Sequence, residues 1–112
     1  MIVISKTIRL PFRIERADTA WKRFVGLLNH KGPLVEKGLL LTPCNSIHMF
    51  FVRHPIDVVF LNKSNRVIKT VAYLRPWRVI SPVKHAHATL ELPLGTIKKE
   101  RIRVGDTIHF HD

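Results

Sequence analysis

A chain of 112 residues, 46% of them apolar, can build one hydrophobic core and is too short for two ordinary domains, so a single domain over residues 1–112 is expected. The 24% charged fraction, with Trp21, Trp77 and six Phe, argues against intrinsic disorder, and the lone Cys44 excludes an internal disulfide framework. Nineteen Lys and Arg stand against eight Asp and Glu, a formal charge of +11 that favours nucleic acid or another polyanion as partner and says nothing about fold.

Met1 to Lys6 shows no basic leader before a long apolar core. No run approaches the roughly 18 apolar residues that a membrane-crossing helix needs. A cytoplasmic location is the resulting expectation. From Thr7 to Ile14, Ile8, Leu10, Phe12 and Ile14 alternate with polar residues and Pro11, the pattern of a half-buried edge strand. Asp18 can cap a helix in which Trp21, Phe24, Val25 and Leu28 form one apolar stripe, ending near Asn29 before Gly32-Pro33.

From Gly38 the period shortens to strand-like runs at Leu39–Leu41, Ile47–Arg53, Ile56–Leu61 and Val67–Leu74, with Asn62–Asn65 as a hairpin loop. A proline-punctuated stretch from Arg75 to Pro82 reads as a loop or irregular edge, and Leu90–Leu92 resumes a strand. Thr96–Arg101 fits one short helical turn, and Val104-Gly105-Asp106-Thr107 a tight turn into the strand Ile108–Phe110. The fold class expected is mostly β within α+β: a bent antiparallel sheet or small barrel with one amphipathic helix packed on it.

Several segments together resemble the family known as domain of unknown function 192. They are Arg23-Phe-Val-Gly-Leu-Leu28, Ser46 through Phe60, Arg66-Val67, Leu74-Arg-Pro-Trp-Arg78, Leu90-Glu-Leu-Pro-Leu-Gly95 and Val104-Gly-Asp106, and the most specific is Pro-Ile-Asp-Val-Val-Phe at 55–60. The resemblance implies a compact domain with a β-rich core and no assigned biochemistry. Many family members carry an aromatic-Met-Lys-Asn tetrad where this chain reads Ile47-His48-Met49-Phe50-Phe51, so a role resting on that Lys-Asn pair does not transfer.

Asp57 lies in a run whose two faces both look apolar, which predicts a buried carboxylate held by backbone donors or by Arg53, Arg75 or Arg78. It would either fix the fold or serve a ligand. Arg75-Pro76-Trp77-Arg78 sets two guanidiniums around an indole, suited to stacking on a base or sugar while contacting phosphate. The same residues equally suit Trp77 on the core with the arginines paired to Asp57 or Glu91.

His85-Ala-His87 and His109-Phe-His111 present histidines two apart, and Cys44 and His48 lie four apart, yet no paired metal-ligand spacing accompanies them. Neither a metal nor another cofactor is therefore expected. Cys44 with His48, or Ser46, lacks the motif of an activated nucleophile. The leading expectation is a non-enzymatic binding module that holds an anionic ligand through Arg75, Trp77 and Arg78. A small enzyme, such as a hydrolase, with a pocket of His48, Arg53, Asp57 and Glu91 is the alternative, followed by a protein-interaction subunit using Phe50 and Phe51.

Overall fold

The computed structural model describes residues 5–17, 37–48, 55–76 and 78–110, with only the backbone described at Ala17, Ile47 and His48. Among these residues nine strands and one short helix follow in order: β1 (Thr7–Arg9), β2 (Arg13–Ala17), β3 (Lys37–Leu41), β4 (Ile47–His48), β5 (Ile56–Leu61), β6 (Val67–Leu74), β7 (Val79–Ile80), β8 (Ala88–Leu92), α1 (Thr96–Lys99) and β9 (Thr107–His109). The β-dominated α+β class expected from the sequence is the one observed. Among the described residues the strands do not close into a barrel, and the pairing is mixed rather than wholly antiparallel. The expected amphipathic helix from Asp18 to Asn29 lies outside the described residues.

The main sheet has the order β2-β3-β8-β5-β6. Its β2–β3 pair is parallel and its other pairs antiparallel. Parallel neighbours need a connection of about a dozen or more residues, a length that 18–36 supplies. Every residue of β5 and β8 is buried, as expected of central strands covered on both faces. Val59, Leu61, Leu90 and Leu92 join Ile8, Leu10, Leu40, Ile102 and Ile108 in one cluster. On the opposite face Ile56, Val58 and Phe60 pack with Leu74, and Leu39 and Leu41 pack with Cys44.

The single strand expected over Thr7–Ile14 is two strands. The chain bends at Leu10–Phe12 around Pro11, which has no N–H to extend a ladder, and β1 pairs with β9 while β2 pairs with β3. The expected alternation survives the break, with Ile8 and Leu10 buried and Phe12 and Ile14 packed against the same core. Gly38, opposite Ile14, is needed for close approach: an added Cβ would sit 2.7 Å from Ile14 Cδ1 and 3.1 Å from the Glu91 carbonyl oxygen.

The β5–β6 hairpin turns at Asn62–Asn65 as expected. Asn62 Oδ1 accepts from the backbone N–H groups of Ser64 at 2.9 Å and Arg66 at 3.0 Å, closing the loop from its own side chain. The Val104–Asp106 turn is fixed similarly. Asp106 accepts from the Lys6 backbone N–H at 3.1 Å, the Lys6 ammonium at 2.8 Å and the Arg103 N–H at 2.9 Å. Burial by itself would raise the Asp106 pKa; these donors outweigh it and hold the carboxyl below its ordinary value.

Candidate functional site

Asp57 occupies the centre of β5 and is 1% exposed. Its backbone donors are all identifiable. Oδ1 accepts from the Tyr73 N–H at 3.0 Å, while Oδ2 accepts from the Gly95 N–H at 3.1 Å and the Ile97 N–H at 2.9 Å. Of the two kinds of partner expected, backbone donors hold this carboxylate. It therefore ties β6 to the start of α1, where Gly95 has the positive φ of 91° that a side chain would disfavour.

The Tyr73 contact explains an irregularity in β6. Ile56 faces Leu74 and Val58 faces Val71, so Ala72 and Tyr73 together oppose Asp57 in a β-bulge. Tyr73 has φ 56°, an uncommon conformation for an aromatic residue. Its N–H turns inward to the carboxylate while its ring, in a residue 55% exposed, turns outward. Sequence reasoning missed Tyr73, because a lone tyrosine in a strand carries no signal of a bulge; the buried carboxylate across the hairpin is the only clue.

Next to that ring the chain leaves the sheet. The Arg75 guanidinium carbon lies over the Tyr73 ring, 5.9 Å from its centroid, within the range of a cation–π contact. The Arg78 N–H donates to the Arg75 carbonyl oxygen at 3.4 Å, drawing Arg75 and Arg78 onto one turn, and β7 then pairs with β4. Both arginines are exposed, and among the described residues neither has an acidic partner. The expectation that they pair with Asp57 or Glu91 is thus corrected. Trp77 lies outside the described residues.

Glu91 is fully buried in β8. It faces Val58 across the ladder, whereas Asp57 faces Leu92, so Asp57 and Glu91 project from opposite faces of the sheet. The structure therefore does not unite these two carboxylates in the single pocket that the enzyme alternative needs. His48 pairs through its backbone with Val79, and Arg53, Phe50 and Phe51 lie outside the described residues.

Among the described residues no group of three His, Cys, Asp or Glu side chains could hold a metal ion. His85 is exposed, and His87 is half-buried with its Nε2 3.3 Å from Thr42 Oγ1. His111 lies outside the described residues. The Cys44 thiol donates to the Ser46 carbonyl oxygen at 3.0 Å, and the residue packs under Leu39 and Leu41.

Comparison with known proteins defines the family. The sequence profile of DUF192 (uncharacterized ACR, COG1430) matches residues 2–110. A UPF0127 protein of Pyrococcus furiosus is 34% identical, the alignment covering 99% of this chain and 97% of that protein. A UPF0127 protein of Thermococcus sibiricus is 39% identical over 86% of this chain and 64% of its own greater length. Among solved structures, a protein of unknown function from Novosphingobium aromaticivorans has a TM-score of 0.73 at 24% identity, covering 84% of this chain and 71% of that one. A Sinorhizobium meliloti protein, provisionally described as a transcription regulator, has a TM-score of 0.71 at 21% identity, over 82% and 76% of the two chains. At those identities the likeness is one of fold.

Proposed function

We propose that this chain, which belongs to the DUF192 family, is a small basic binding module whose Tyr73–Arg75–Arg78 surface holds an anionic ligand, with single-stranded nucleic acid the best-fitting class. One observation carries the reading: an exposed aromatic ring, set by a buried carboxylate, stands beside two exposed arginines that have no acidic partner among the described residues. A ring and a guanidinium offer a stacking face and a phosphate contact, the combination that binds bases and backbone with little sequence demand. The net charge of +11 supplies the long-range attraction. Trp77, between the two arginines in sequence, is a further stacking candidate that lies outside the described residues.

We assign the protein to the cytoplasm, where nucleic acid is abundant and a single thiol such as Cys44 stays reduced. Among the described residues no helix is long and apolar enough to cross a membrane.

The test is fluorescence polarisation of labelled single-stranded RNA and DNA at two salt concentrations, with an Arg75→Ala/Arg78→Ala double variant alongside. Binding should fall steeply with salt. If both arginines contact phosphate, the double variant should bind more weakly and lose about 1.4 from the log–log salt slope on a single strand. Absence of binding at low salt, or binding unchanged between the two salts, overturns the proposal.

A further inference from the structure

The break at Pro11 has a second effect. Because β1 turns to β9 and β2 to β3, the chain between them opens a cleft of about 400 Å³ against the end of β9. That size falls within the roughly 300–1,000 Å³ of ordinary small-molecule sites. Phe12, Ile14 and Phe110 contribute apolar walls, while Arg13, Arg16 and His109 bring basic groups to the same lining.

Among the described residues no acidic side chain lines the cleft. Glu15, between the two arginines in sequence, is instead 3.6 Å from the Lys37 ammonium. The Arg16 guanidinium carbon stands 5.4 Å from the centroid of the Phe110 ring, so one wall already combines a flat apolar face with a cationic fork.

From this combination we infer that the cleft is a binding site for a small organic carboxylate with an apolar body, separate from the Tyr73–Arg75–Arg78 surface. The apolar body lies against Phe12, Ile14 and Phe110, and the carboxylate meets Arg16, which projects from the same face of β2 as Ile14 and whose planar donors match its two oxygens. Charge complementarity selects the anion, and the apolar walls exclude a ligand that is all charge, such as inorganic phosphate.

Isothermal titration calorimetry on the full chain tests this with naphthoate and octanoate, the two arms separating a flat ring from a flexible chain. Naphthol and octanol serve as the neutral counterparts. Saturable binding of at least one acid is expected, with its neutral counterpart about tenfold weaker or worse, the scale of one charge-assisted contact.

Arg16→Gln should weaken that acid by at least about tenfold, whereas Lys98→Gln, which removes the same charge from the exposed side of α1, should leave it unchanged. Failure of both acids to saturate, equal binding of acid and neutral counterpart, or equal weakening by the two variants overturns the inference. Labelled RNA titrated with and without the acid keeps the two sites distinct, since Tyr73, Arg75 and Arg78 are not among the described residues that line the cleft.

Discussion

Replacing Asp57 with alanine removes one acceptor pair and strands three backbone donors at once: the N–H groups of Tyr73, Gly95 and Ile97. A buried donor left unpaired costs about 1–3 kcal/mol. Tyr73 and Gly95 are exposed residues, so water can reach part of the vacated site and the lower figure applies. The expected loss for Asp57→Ala is therefore about 3 kcal/mol, from three donors at roughly 1 kcal/mol each. Asp57→Asn keeps one acceptor oxygen and should lose about 1–2 kcal/mol, since the amide cannot serve Tyr73 on one side and both Gly95 and Ile97 on the other.

Urea unfolding followed by tryptophan fluorescence and far-ultraviolet circular dichroism measures both variants. A loss below about 0.5 kcal/mol for Asp57→Ala would be that of an unremarkable surface position and would refute the structural role assigned to the carboxylate. Ligand binding supplies an opposing sign. Neutralising an acidic residue in a chain of net charge +11 should by charge alone strengthen attraction to a polyanion. Loosening the bulge that presents Tyr73 should weaken it. Measured where circular dichroism shows Asp57→Asn folded, tighter RNA binding would mean that Asp57 does not position the loop.

Three further outcomes are expected. Tyr73→Asn, which tolerates positive φ better than tyrosine, should stay within about 1 kcal/mol of the parent in urea unfolding while weakening salt-sensitive RNA binding through loss of the ring. Gly38→Ala should cost about 1–3 kcal/mol in the same assay, because the new methyl group meets Ile14 Cδ1, the Glu91 carbonyl oxygen and Leu92 Cδ2 at 2.7, 3.1 and 3.2 Å. For Asp106, whose folded pKa is lowered, the stabilisation from Lys6 and Arg103 is fully present above the unfolded value near 3.8 and disappears as pH falls through the lower folded value. Parent and Asp106→Asn should accordingly differ in unfolding free energy at neutral pH and converge in acid; a difference independent of pH would remove the ionised carboxylate from the account.

Much of the fold was legible because period and punctuation agreed. Ile56–Leu61 and Val67–Leu74 carry β-branched and aromatic residues up to the Asn62–Asn65 turn, and both strands have the bounds read from the sequence. The Thr7–Ile14 run misled because alternation reports which face a residue takes and not which neighbour the strand joins. Its side chains kept their burial while the backbone changed sheets at Pro11. The parallel pairing of β2 with β3 was equally illegible, since it is set by the path of the chain across more than a dozen residues rather than by any local pattern.

The candidate site divides in the same way. That Asp57 is buried follows from a carboxylate placed in an apolar run. That its donors come from Tyr73, Gly95 and Ile97 depends on two other segments meeting it. The sequence also offered Asp57 and Glu91, with His48 and Arg53, as members of one pocket. Their antiparallel register puts Asp57 beside Leu92 and Glu91 beside Val58, and this offset by one residue sends them to opposite faces.

That register also decides how core and surface communicate in this chain. Asp57 lies on the face where α1 and the bulged end of β6 meet, and its two oxygens divide between them. A single buried side chain therefore fixes a helix start on one side and, on the other, the backbone twist that turns Tyr73 outward beside Arg75. The strained φ at Tyr73 is a cost to folding that a glycine or asparagine would relieve. Retaining an aromatic ring there serves no packing purpose visible in the core, since the residue is more than half exposed. If strain at Tyr73 is offset by the hydrogen bond to Asp57, the two residues should be energetically coupled. A double-mutant cycle of Asp57→Asn with Tyr73→Asn should then depart from additivity by at least about 0.5 kcal/mol in unfolding free energy. Additive losses would mean that the bulge is set by the rest of β6 and that the outward ring owes nothing to the buried carboxylate.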